Sequence, residues 1–182
     1  QITTGNWQID SFEGFSKDTN ELFFTATKDS ELEKHLYRIN KEGVIDPISL
    51  NRPGIHNVKI NCDQNIYIDV NHALSQQPRV ELRNLKTDEL IKDISPDKDV
   101  RIEQFGLTPP KLLKIPHEKS EYLNSAVFYP DENEYGPGPY PTVVYVYGGP
   151  HVQLVTDSWG LTANLRLQYL RDQGFLVTVV DN

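Results

Sequence analysis

The chain repeats one pattern, and the repeat limits its possible folds more than any other feature. From Trp7 to Phe12 apolar and polar side chains alternate. Leu22 to Thr27 is an apolar strand entered from an Asp18-Thr19-Asn20 turn. His35 to Asn40 alternates again, and Lys41-Glu42-Gly43 turns the chain into Val44 to Leu50. The order then recurs. His56 to Ile60 answers the Trp7 strand, and Ile66 to Val70 follows an Asp63-Gln64-Asn65 turn. Arg79 to Asn84 matches His35 to Asn40, and Leu85 to Asp88 leads into Glu89 to Ile94. Corresponding strands lie about 44 to 49 residues apart. Four strands in such a span, repeated, are the mark of β-propeller blades. Two blades cannot close a ring, because propellers need about four to eight. Further blades are therefore expected on the N-terminal side. The competing reading is a free-standing eight-strand β-sandwich.

Ser95 to Pro110 is polar and charged and ends in Gly106-Leu107-Thr108-Pro109-Pro110, which breaks regular structure. It divides the chain into two blades over 1–95, a linker over 96–110 and a second domain over 111–182. In that second part, Lys111 to Ile115 and Tyr122 to Tyr129 read as a hairpin joined through Pro116 to Glu121. Pro130 to Pro139 reads as a surface loop. Val143 to Val146 is uncharged and β-branched or aromatic, the pattern of a strand buried on both faces. It runs into Tyr147 and a Gly148-Gly149-Pro150 turn at the strand's C-terminal end, where open α/β sheets place their ligands. Ser158 stands as N-cap of a helix over 159–173, with Gly174 at its C-terminal cap. Phe175 to Val180 is a second buried strand. Asp181 lies at its tip and is read as ordering the loop that follows. Strand, turn, helix, strand is a βαβ unit whose helix covers the sheet.

Composition excludes several classes. The net charge is −8 and no basic stripe is present, which argues against nucleic acid. No apolar run reaches about 18 residues, so no membrane contact is expected in this segment. The first residues show no signal-peptide pattern, and the localisation stays open. Cys62 is the only cysteine and sits in a polar turn, a poor setting for a nucleophile. His35, His56, His72, His117 and His151 are scattered without ligand-like spacing, so neither a metal nor a cofactor is expected. No P-loop lysine follows Gly148-Gly149, which excludes a phosphate cradle.

Tyr140-Pro141, the strand after it, Val146-Tyr147-Gly148-Gly149-Pro150-His151, Gln153-Leu154-Val155, Trp159, Tyr169-Leu170, Gln173-Gly174 and Val179-Val180-Asp181-Asn182 together carry a resemblance. They look like the opening of the peptidase domain of the dipeptidyl peptidase IV family, within the prolyl oligopeptidase group of serine peptidases. Thr4-Gly5 with Trp7, Thr25 with Thr27, Glu33-Lys34-His35-Leu36-Tyr37, Pro53-Gly54 with His56, and Pro78-Arg79-Val80 resemble the last propeller repeats of the same family. One departure is His117-Glu118-Lys119-Ser120, where the family usually has an Asp-Gly turn.

The resemblance implies a mixed fold, the last blades of a β-propeller followed by the first strands and helix of an α/β-hydrolase domain. It implies a serine exopeptidase that releases N-terminal Xaa-Pro or Xaa-Ala dipeptides from peptide substrates, with homodimers common in the family. It also makes Tyr147 the oxyanion-hole donor. No Gly-Xaa-Ser-Xaa-Gly occurs, and Ser158 in Asp157-Ser158-Trp159-Gly160 lacks the elbow glycines. In this fold the triad runs Ser, acid, His after the first βαβ unit, so the segment alone is expected to be inactive. The alternatives are a non-catalytic scaffold homologue, or an acylaminoacyl peptidase or prolyl endopeptidase of the same fold.

Overall fold

The computed structural model describes residues 2–97, 100–118, 121–149 and 151–181. Lys119 and Ser120 of the expected hairpin turn, Pro150 after the two glycines, and Asn182 lie outside the described residues. The chain divides into two compact units, Gln1–Lys98 and Asp99–Asn182.

In the first unit the repeat becomes two antiparallel four-stranded sheets in simple up-and-down order. The first holds β1 (Ile9–Ser16), β2 (Glu21–Ala26), β3 (His35–Ile39) and β4 (Ile45–Pro47). The second holds β5 (Ile55–Asn61), β6 (Ile66–Ala73), β7 (Gln76–Asn84) and β8 (Leu90–Asp93). These sheets have the form of propeller blades, and all eight strands overlap the expected segments, although β1 starts two residues late and runs on to Ser16, and β4 covers only Ile45–Pro47 of 44–50. The duplication reaches the turn chemistry. Asn20 and Asn65 close the first hairpin of each sheet with φ of 57° and 55°, a left-handed conformation that asparagine tolerates better than most residues. Ser16 Oγ accepts from Thr19 N in the first turn, and Asn61 Oδ1 accepts from Gln64 N in the second. Asn40 and Asn84 each fold a later turn by accepting two backbone N–H groups downstream.

The two sheets share a core. Phe23, Leu36 and Ile48 of the first pack with Val58, Tyr67 and Leu85 of the second. Each such side chain contributes about 1.5–3 kcal/mol when fully buried. On the other face of the first sheet, Trp7 stacks on Phe24 and Phe24 on Tyr37, with ring centres 6.0 and 5.7 Å apart. The junction is also made through backbone. His56 N donates to Lys34 O and Lys34 N donates to Gly54 O, a short parallel bridge between the sheets. Gly54 has φ of 103°, and a Cβ there would stand 2.2 Å from the His72 carbonyl oxygen, so the approach requires glycine.

Beside this core lies a buried ionic network. Tyr67, Asp69 and Asn71 alternate along β6, and all three face inward. His56 Nδ1 meets Asp69 Oδ2 at 2.7 Å, and Arg52 Nη1 meets the same oxygen at 2.5 Å. Arg52 also grips Asp88 through Nη2 at 2.9 Å and Nε at 3.2 Å, and donates to Tyr67 Oη at 2.9 Å. Arg83 Nε donates to Glu81 Oε2 at 2.8 Å. Burial alone would push the Asp69 carboxyl up, but the bonds and charges of His56 and Arg52 outweigh it and hold it below the ordinary range. A depressed carboxylate stabilises the fold fully above its unfolded value near 4, and that contribution is lost as pH falls through the lower folded value. Thermal melting of the full polypeptide is therefore expected to drop steeply below about pH 4. Asp69→Asn should be less stable at neutral pH but show a flatter acid limb. An unchanged acid limb in that variant would remove Asp69 from the account.

The second unit is a mixed sheet with strand order β11-β12-β10-β9. A short helix, α1 (Arg101–Gln104), precedes it. Then come β9 (Lys111–Pro116), β10 (Tyr122–Phe128), a one-turn helix α2 (Glu132–Tyr135) inside the expected surface loop, and β11 (Thr142–Tyr145). The connection to β12 (Leu176–Val180) carries α3 (Trp159–Thr162) and α4 (Leu165–Asp172). Strands β9, β10 and β12 pair antiparallel, and β11 pairs with β12 in parallel.

Two expectations are corrected here. The segment 159–173 is not one helix. Asn164 takes an extended conformation and its side chain accepts from Leu167 N, so the chain breaks after α3 and α4 starts on its own cap. Nor is β11 buried on both faces. Among the described residues it is an edge strand with one neighbour, and Val144 and Val146 are 61% and 52% exposed. The apolar run instead matches burial at β12, where Val177 and Val179 are fully enclosed. Gly174 ends α4 as expected. It has φ of 83°, its N–H donates to Arg171 O, and Phe175 N donates to Leu170 O, the paired bonds of a Schellman cap. Buried Gln168 ties the preceding loop to α4, with Nε2 donating to Thr108 O and Thr162 O at 2.9 and 2.7 Å.

Candidate functional site

The parallel pair β11 and β12 defines one end of the second sheet. Their register runs from Thr142 opposite Leu176 to Tyr145 opposite Val179. Both strands leave the sheet at the same edge, where the parallel arrangement collects loops suited to ligand contact. Tyr147 leaves β11 at this edge and is 49% exposed. Gly148 follows with φ of 70°, a left-handed turn that favours glycine. Gly149 lies under the Tyr147 ring, since a Cβ there would stand 2.6 Å from Cε1. The two glycines therefore do separate work, one turning the chain and the other letting backbone and ring approach.

The connection continues through exposed His151 to Ser158. Gln153 Nε2 donates to Val155 O at 3.0 Å. Ser158 has the extended backbone of an N-cap but makes no side-chain cap bond; its hydroxyl accepts from Thr156 Oγ1 at 2.9 Å. An open recess of about 250 Å³ lies between this loop and the sheet, lined by Tyr145, Gln153, Thr156, Ser158, Asn164 and Val179. Tyr147 stands outside that lining.

Asp181 holds a loop that precedes it in the chain. Oδ1 accepts from Leu154 N at 2.7 Å and Oδ2 accepts from Val155 N at 3.0 Å. Only the position of Asp181 at a strand tip hinted at this in the sequence. Its partners lie 27 and 26 residues away.

Chemically, the edge offers a half-exposed phenol, a good hydrogen-bond donor, next to backbone with no side-chain bulk. Cys62 lies in the first unit beside a small recess of about 130 Å³. Burial, with help from Asp63, pushes its thiol up and away from the reactive thiolate. No group of His, Cys, Asp and Glu among the described residues is arranged to hold a metal ion. No helix among them is long and apolar enough to cross a membrane.

Comparison with known proteins adds the following. Residues 1–78 match the family model of the dipeptidyl peptidase IV (DPP IV) N-terminal region. The chain is 27% identical to human dipeptidyl peptidase 8 over its whole length, which is 21% of that protein. It is 26% identical to the probable dipeptidyl-aminopeptidase B of Arthroderma otae, over 99% of the chain and 20% of that protein. It thus spans about a fifth of the length of these curated relatives. Among solved structures, it resembles dipeptidyl peptidase 4 of Porphyromonas gingivalis with a TM-score of 0.82 and 21% identity, over 99% of the chain and 25% of the solved one. At that identity the likeness shows the fold alone.

Proposed function

The chain belongs to the dipeptidyl peptidase IV family, and on that premise we propose that it is part of a serine exopeptidase releasing N-terminal Xaa-Pro or Xaa-Ala dipeptides. The observation that carries the reading is Tyr147, half-exposed at the C-terminal edge of a parallel strand pair and followed by two glycines. In this reading residues 1–95 supply two blades of a propeller, and 96–110 link the blade pair to 111–182, which opens an α/β-hydrolase domain. Attack on a peptide carbonyl builds negative charge on its oxygen, and a fixed donor at that oxygen lowers the barrier. The Tyr147 hydroxyl is that donor. Gly149 keeps the ring in place while leaving room for a substrate backbone.

The segment holds no nucleophile elbow, so the Ser-Asp-His triad comes from the rest of the polypeptide and the segment alone is inactive. Homodimerisation of the full polypeptide is part of the same proposal.

The test is hydrolysis of Gly-Pro and Ala-Ala chromogenic anilides by the full polypeptide, beside the same compounds with a blocked amino group. Cleavage of the free-amine compounds, with none of the blocked ones, is the expected result. Equal cleavage of blocked compounds would move the protein to the endopeptidase or acylaminoacyl class. A folded but inert polypeptide would make it a scaffold.

A further inference from the structure

The loop between Tyr147 and Ser158 has to hold the phenol still, and the means lie outside the loop. The parallel register closes at Tyr145 opposite Val179, and Tyr147 and Asp181 each follow two residues later in their own segments. The two side chains leave adjacent strands at the same edge. The Asp181 backbone is tied to the sheet, its N–H donating to Asn124 O at 3.1 Å. Its carboxylate then takes two consecutive amides, Leu154 N–H and Val155 N–H. Val155 is fully buried, so this part of the loop sits in the protein rather than in solvent. Five residues before Leu154 in the chain stands Gly149, whose backbone lies against the Tyr147 ring.

Here the two N–H groups go to separate oxygens of one side chain, Oδ1 and Oδ2. A carboxylate supplies both and charges the bonds, whereas asparagine would turn an N–H₂ towards one of the amides.

We infer that Asp181 is a positioning residue that fixes the Leu154–Val155 backbone and, through the Gly149 turn, the Tyr147 hydroxyl. The inference rests on the reading of Tyr147 as the oxyanion donor. It requires no contact between Asp181 and substrate.

The experiment is a double-mutant cycle in the full polypeptide with Tyr147→Phe and Asp181→Asn, reading kcat and KM on a Gly-Pro anilide. Asp181→Asn is expected to lower kcat roughly 10- to 100-fold, the scale of a sub-ångström to 1 Å misplacement, with KM within about twofold. The double variant should be no slower than Tyr147→Phe alone, because a misplaced hydroxyl that has been removed cannot be lost again. Losses that multiply, or an Asp181→Asn enzyme with normal kcat, would overturn the inference while leaving Tyr147 in its role. A Tyr147→Phe enzyme of normal kcat would overturn the reading beneath it, and the inference with it. Should Asp181→Asn fail to fold, Asp181→Glu carries the same cycle, since it keeps the charge and shifts the oxygens by one methylene.

Discussion

Replacing Arg52 with alanine is expected to destabilise the blade pair by about 3–5 kcal/mol, the range for breaking a buried ion pair from one side. The Arg52 side chain is 18% exposed, and its guanidinium bonds Asp69, Asp88 and Tyr67 at once. It takes Asp88 with two nitrogens, Asp69 with a third contact, and the Tyr67 hydroxyl. Asp69 has no exposed side-chain surface, and its Oδ1 has no hydrogen-bond partner among the described residues. Without Arg52, Asp69 would rely on His56 alone, and Asp88 would keep only the Tyr67 hydroxyl and the edge of Arg83. The Tyr67 phenol is already held far above its ordinary range by burial and by its bond to Asp88. It cannot answer by ionising. Lysine should rescue only part of the loss, since a point charge cannot match a planar fork gripping one carboxylate with two nitrogens. Urea denaturation of the full polypeptide measures the effect. A loss below about 1 kcal/mol would mean that water, rather than Arg52, satisfies these carboxylates.

On the proposed reading of Tyr147 as the oxyanion donor, Tyr147→Phe is the second large effect, expected on rate instead of stability. Removing one oxyanion donor lowers kcat by about 10²–10³. KM should change little, because the bond strengthens only as charge develops in the transition state. The ring is half exposed at a sheet edge, so loss of its hydroxyl should leave the melting temperature nearly unchanged. A stable enzyme with impaired kcat is therefore the expected variant. Wild-type kcat with a raised KM would make Tyr147 a substrate contact of uniform strength and take the transition state out of its role.

The strands of the first unit were legible because their signals are local. Asn20, Asn65, Asn40 and Asn84 mark turns within a few residues of the bonds they make. The ionic network was not legible, because Arg52, Asp69 and Asp88 meet only once two sheets have formed. Strand β6 is the clearest case. Its aliphatic face, Ile66, Ile68 and Val70, is the one a period-two reading turns inward, yet Ile68 is 40% exposed while Asp69 is fully buried. Partners on other strands decide that face. The break at Asn164 carried a local signal, an asparagine ahead of Leu165 and Leu167, which the continuous apolar spacing of 159–173 masked. The reading of Tyr147 rests on family resemblance, whereas the hold of Asp181 on Leu154 and Val155 depends on a chain crossing that no spacing encodes.

The exposed flank of β11 also bears on strand pairing. Thr142 to Tyr145 carries no charge, proline or bulge, the devices by which natural edges resist unwanted pairing. One row of its amides and carbonyls faces β12, and the other row is open. Such an edge is a template that a further strand, from the same polypeptide or from another copy, can extend by backbone pairing.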